Sequence, residues 1–171
     1  MEASFARITK QAGLSSPRMI SYHFADKNDL VHQIAVEVLT AAARYVLDHV
    51  QEQETAAGRL RAYPESSLRY LREHPNDMAA LTAIGPHLRT PTGEAYTSET
   101  AQEPGVQGLE WLLADGQRTG EFRDFDTRSM AVLIRGAVEA AAQRLRTEPG
   151  FDFDAYTAEV VTTFALATRR A

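Results

Sequence analysis

Apolar residues recur along this chain three and four positions apart, and no segment alternates with the period of two that a half-buried strand requires. Short helices are expected at about 4–11 and 17–24. A longer one is expected at about 27–52, where Val31, Ile34, Ala35, Val38, Ala42, Tyr45 and Val46 share a face. Gly58 and Pro64 should then break the next segment into short pieces before SSLRYLREH, and Pro75 and Asn76 open NDMAALTAI. Residues 85–105, GPHLRTPTGEAYTSETAQEPG, are rich in Gly, Pro and Thr and read as a long loop. A helix on VQGLEWLLADGQR stops at Gly120. Two more follow at about 126–147 (Met130, Leu133, Ile134, Ala137, Val138, Ala141, Leu145) and 152–170 (Tyr156, Val160, Phe164, Ala167). The fold class expected is all-α.

The first thirty residues hold two helix starts. Gly13 follows Ile8 and Ala12, where a glycine supplies the left-handed conformation that ends a helix. Ser16 then caps and Pro17 opens the second short helix, because a serine oxygen satisfies orphan amides and proline suits the first helical position. Ile20 and Phe24 turn inward against Ile8, Ala12 and Leu14, which leaves Arg18, Ser21 and Tyr22 on the outward face. Two short helices around a glycine turn, the second showing a polar and aromatic face, form a helix-turn-helix. Arginine can bond guanine edges bidentately, and hydroxyls reach bases or phosphates. The same residues would also suit a solvated face. Asp26 caps the next helix with Asp29 in a capping-box arrangement. That sets Lys27 at the positive end of the macrodipole, a useful position for a cation only if a phosphate docks there. An exposed lysine paired with its acidic neighbours is the alternative.

Charge supports a local polyanion contact. The chain of 171 residues carries net charge −5, yet residues 1–28 carry +2 and the remainder −7. An acidic body with a basic tip does not coat nucleic acid indiscriminately. There is no cysteine, hence no disulfide and no thiolate zinc site, and a cytoplasmic location is expected. No stretch reaches the ~18 apolar residues a membrane span needs, and no membrane partner is expected. The chain has no H-E-x-x-H, no Gly-rich phosphate loop and no G-x-S-x-G, so neither enzyme activity nor a metal or cofactor is expected. In FDFDAY the acidic residues read as a helix cap between core aromatics.

The segment FARITKQAGLSSPRMISYHFADKNDL resembles the DNA-binding segment of the TetR family of bacterial transcriptional regulators. Ile8, Ala12, Gly13 and Leu14 match the first half of that pattern, and Phe24, Lys27 and Leu30 the second. GEFRDFDTRSMAVLIRGAVEA is similar to the family's run into its penultimate helix. The resemblance implies a DNA-binding domain at residues 1–30 and an effector-binding and dimerisation domain at 31–171. It implies a repressor that binds a palindromic operator as a homodimer and is released by a small-molecule effector. Ser15, Ser16, Pro17, Arg18, Ser21, Tyr22 and His23 would read or position DNA, and Lys27 would hold phosphate. The last two helices would form the homodimer, with half-sites about one helical turn (~34 Å) apart.

Three features depart from the family pattern. The family has one more helix before the first short one, so starting at MEASFARI implies an incomplete domain in which Ile8, Ile20 and Phe24 lose cover. A serine pair stands where one turn residue is usual, and His23 replaces an aromatic that contacts phosphate. Tyr70, Met78, His87 and Trp111 fall in segments that would line an effector pocket. The competing reading is a helical ligand-binding and dimerisation module that has lost DNA binding along with its first helix.

Overall fold

The computed structural model describes residues 5–13, 15, 16, 18–89 and 98–170, with the backbone alone at Phe5 and at 98–101. The helices are α1 (Phe5–Gln11), α2 (Arg18–His23), α3 (Lys27–Gln51), α4 (Ala56–Glu73), α5 (Pro75–Ile84), α6 (Ser98–Arg118), α7 (Thr127–Thr147) and α8 (Phe153–Thr168), with a 3-10 turn at Gly85–His87. No strand occurs among the described residues, and the protein is all-α. The chain divides into two compact units, Met1–Leu39 with Ala79–Tyr96, and Thr40–Met78 with Thr97–Ala171.

The first unit has a thin interior. α1 and α2 meet, and Thr9, Ile20 and Ala35 are its buried side chains among the described residues. Ile8, Phe24, Leu30, Val31 and Ile34 are half-buried, as a short two-helix motif on the start of α3 allows. Gly13 has φ +65° and ends α1 in the left-handed region, where any other residue would be strained. Asp26 Oδ1 accepts from the Asp29 amide at 2.9 Å, and Asp29 Oδ2 accepts from the Ala25 amide at 2.9 Å. Together these bonds fix where α3 begins, with Asp29 reaching back one residue beyond Asp26.

The second unit packs α4, α6, α7 and α8 around an apolar interior. One cluster joins Leu60 of α4, Leu109 and Leu113 of α6 and Ile134 of α7; another joins Leu68, Val138, Ala141 and Phe153. Asp126 and Asp152 cap α7 and α8 by accepting from the Ser129 and Ala155 amides, at 2.7 and 2.9 Å. Asp152 thus caps, and Phe153 fills core, as FDFDAY suggested.

Four expectations differ from the structure. α4 runs unbroken through Gly58 and Pro64. An interior proline costs about 3 kcal/mol, but each buried leucine contributes about 1.5–3 kcal/mol, and Pro64 sits fully buried between Leu60 and Leu68. Ser66 Oγ, donating to the Ala62 carbonyl at 2.7 Å, stabilises the turn around it. Gly58 lies in the first turn, where its amide donates to Thr55 Oγ1 at 3.0 Å. Second, α6 begins at Ser98, so residues 98–105 are helix rather than loop; Arg128 of α7 holds Glu103 there through bonds of 2.8 and 2.6 Å. Third, Leu133 and Leu145 lie outside the buried stripe of α7: Leu133 is 61% exposed, since burial follows Met130, Ala131, Ile134, Val138 and Ala141. Fourth, α3 has the length and average apolarity of a bilayer-crossing helix, although Glu37 and Arg44 interrupt its apolar run.

Candidate functional site

α2 is six residues long and too short to stand alone, so its ends are tied by other groups. Ser16 Oγ accepts from the Arg18 amide at 3.1 Å, which supplies the N-cap. Ile20 anchors the inner face at 5% exposure. Arg18, Ser21, Tyr22 and His23 are all exposed, Tyr22 at 86%, with its ring edge-to-face on His23 at 5.2 Å. Ser21 Oγ donates back to the Arg18 carbonyl at 3.3 Å, which holds that hydroxyl near the helix surface. Ser15 is exposed and its hydroxyl points to Met19 Sδ at 3.2 Å. Pro17 and Leu14 lie outside the described residues.

Lys27 opens α3, half-buried. It lines a surface hollow together with Asp26, Asn28, Val31, His87 and Arg89. Sequence reasoning missed Arg89. Nothing local marks it: it lies about sixty positions along the chain from Lys27, inside a segment that reads as loop, and only the fold brings them to one hollow. His87 is there too, in the first unit, and not in the bundle of the second.

The other effector candidates are scattered. Tyr70 is 4% exposed, stacked on His74 at 4.0 Å, and donates its hydroxyl to Asp77 Oδ2 at 2.8 Å. Burial first, then that bond and the Asp77 charge, push its phenol up to about 12. Tyr45 packs edge-on to it at 5.4 Å, so Tyr70 is a satisfied core residue of an aromatic cluster. Met78 is half-buried at the start of α5. Trp111 stands on the solvent side of α6 at 71% exposure, because that helix buries Val106, Leu109, Leu112 and Leu113 instead. An indole there lines no interior hollow. No group of His, Asp or Glu suited to a metal ion occurs among the described residues.

No protein-family model matches the chain, and no curated protein matches it significantly. Solved structures do. The chain resembles a TetR-family regulatory protein from Rhodococcus (TM-score 0.74, 16% identity, covering 99% of this chain and 87% of that one). It also resembles the transcriptional regulator FadR from Bacillus subtilis in complex with stearoyl-CoA (0.72, 18%, 95% and 87%). A third is AibR in complex with isovaleryl coenzyme A and operator DNA (0.71, 17%, 94% and 86%). The chain therefore has the TetR-like regulator fold.

Proposed function

We propose that this protein is a ligand-responsive transcriptional regulator, a repressor that binds a palindromic operator as a homodimer through α2 and the start of α3. The observation that carries this reading is the exposed face of Arg18, Ser21 and Tyr22 on a capped helix whose other side is anchored by Ile20. Arg18 and the hydroxyls of Ser21 and Tyr22 meet base edges, while Lys27 meets phosphate, with Arg89 adding to the positive charge around it. Exposed Val132 and Leu133 of α7 and Leu166 of α8 supply apolar area for a two-fold contact between copies. The protein works in the cytoplasm and catalyses no reaction. Residues 1–30 form the reading head and 31–171 the effector and dimerisation domain. Two fold neighbours hold CoA thioesters, one of them with operator DNA. An acyl thioester or a related small molecule is accordingly the effector class for this chain, and it acts by binding one arrangement of the dimer better than the other.

Gel retardation on the DNA upstream of the protein's own gene tests this. Specific retention should fall as salt rises, because phosphate contacts release counterions. Arg18→Ala should lose about 1–3 kcal/mol on the operator and relax base preference, whereas Lys27→Ala should weaken all sequences alike. If both variants retain full operator affinity, the assignment is wrong. If the native chain retards no DNA at all, the helical ligand-binding module is the better description.

A further inference from the structure

Two arginines lie seven apart on α7 and their surroundings differ sharply. Arg128 is held by both oxygens of Glu103, at 2.8 and 2.6 Å, and approaches Glu110 at 3.6 Å. Arg135, two turns on, has no carboxylate partner among the described residues. Its one hydrogen bond there is a long one, Nη1 donating to the Tyr63 hydroxyl at 3.3 Å. Its Nε is buried and has no acceptor. The side chain as a whole is half-buried, and a guanidinium keeps its charge at every physiological pH, so deprotonation cannot remove the donor. A buried donor left without an acceptor costs free energy.

The site is built from three helices. Tyr63 comes from α4, Arg135 from α7, and Gly105 from α6. A Cβ on Gly105 would stand 3.3 Å from the Tyr63 hydroxyl and 3.4 Å from Arg135 Nε. The absent side chain thus lets both polar groups lie close against the α6 backbone. Because Tyr63 accepts from Arg135, its own hydroxyl hydrogen points elsewhere. An N–H without an acceptor and an O–H free to turn, a few ångströms apart beside a permanent positive charge, form a donor set for an oxyanion.

We propose that Arg135 and Tyr63 anchor the negatively charged group of a small-molecule effector, a carboxylate or a phosphate, within the α4, α6 and α7 bundle. This rests on the reading of that bundle as the effector domain. An anion there supplies the acceptor that Nε lacks, and the ligand binds as the counter-ion missing from the protein.

Thermal unfolding of the full chain with decanoate, decanoyl-CoA, coenzyme A and 1-decanol tests it. Decanoate or the CoA compounds should raise the unfolding midpoint. A response to decanoate alone identifies a carboxylate, and a response to coenzyme A identifies a phosphate. Arg135→Met should weaken that anion at least tenfold, about 1.4 kcal/mol, and Tyr63→Phe severalfold, with any response to 1-decanol unchanged. Without ligand, Arg135→Met should unfold at the native midpoint or above, since it removes an unpartnered buried donor and keeps the apolar stem. A lower midpoint for ligand-free Arg135→Met means a structural arginine and overturns the proposal. So does an anion response that survives the substitution, or no anion response in the native chain. Gel retardation separates the two readings: retained DNA without an anion response sinks only the anchor. An Arg135-dependent anion response without DNA retention sinks only the regulator.

Discussion

At Gly116 a hydrogen stands where any side chain would collide: a Cβ would fall 2.2 Å from Phe122 Cδ2 and 3.0 Å from the Ala56 Cβ. Phe122 is 4% exposed inside the larger apolar cluster, so its ring cannot swing away cheaply. Gly116→Ala should therefore destabilise by about 1–3 kcal/mol or more through overpacking. Differential scanning calorimetry would read this as a lower midpoint, against the gain that Gly→Ala usually brings inside a helix. No sequence signal marked this glycine, because the ring it meets is fixed by the turn after α6. The residues that were legible are those whose roles are local. Gly13, Ser16, Asp26 and Asp29 each act within four positions of themselves, and the structure has each in its expected conformation or bond. Trp111 shows the opposite case: its face of α6 follows from packing against other helices, and composition alone pointed inward.

Among the elements, α4 shows how distant groups override local breakers. Besides the Thr55 cap, Glu121 reaches its N-terminus from across the unit. Its Oε1 accepts from the Ala56 amide at 2.9 Å and its Oε2 from the Ala57 amide at 3.1 Å. These bonds, Ala56 first, hold the Glu121 carboxyl below the usual carboxylate range. A depressed carboxyl stabilises the fold at pH above its unfolded value, and the contribution is lost as pH falls through the lower folded value. Glu121→Gln should lower stability at neutral pH by about 0.5–2 kcal/mol, as lost caps do. It should also make the acid side of the stability curve less steep, which urea titrations at pH 7 and pH 3 would register. Equal losses at both pH values would show that ionisation plays no part. Helix ends set by neighbouring residues, those of α1 to α3, α7 and α8, were close to their sequence positions. Those set by remote partners, Glu121 for α4 and Arg128 for the early part of α6, were not.

On the scale of the whole molecule, the acidic body and the exposed apolar residues of the last two helices bear on assembly. Leu133 at 61% and Leu166 at 60% exposure sit on the helices that the homodimer reading uses. Leu133→Asp with Leu166→Asp should yield a monomer in sedimentation velocity with an unchanged helical spectrum, because neither side chain supports the core. Operator affinity should fall with dimer loss, since each copy would then hold a single half-site. A double variant that still sediments as a dimer would move the interface elsewhere. The all-helical architecture and the two short helices on either side of Gly13 were legible because periodicity and caps are written locally. The polar contact of Tyr63 with Arg135 over Gly105 was not, because the three residues come from three separate helices.

The thin packing of α2 has a thermodynamic corollary. Six residues held inward chiefly by Ile20 belong to the class of segments that open far more often than close-packed helices such as α6 and α7. Docking on a duplex would quench those excursions, so association should carry an entropic penalty and a heat-capacity signature larger than its contact area suggests. Warming would loosen recognition well before it melts the fold.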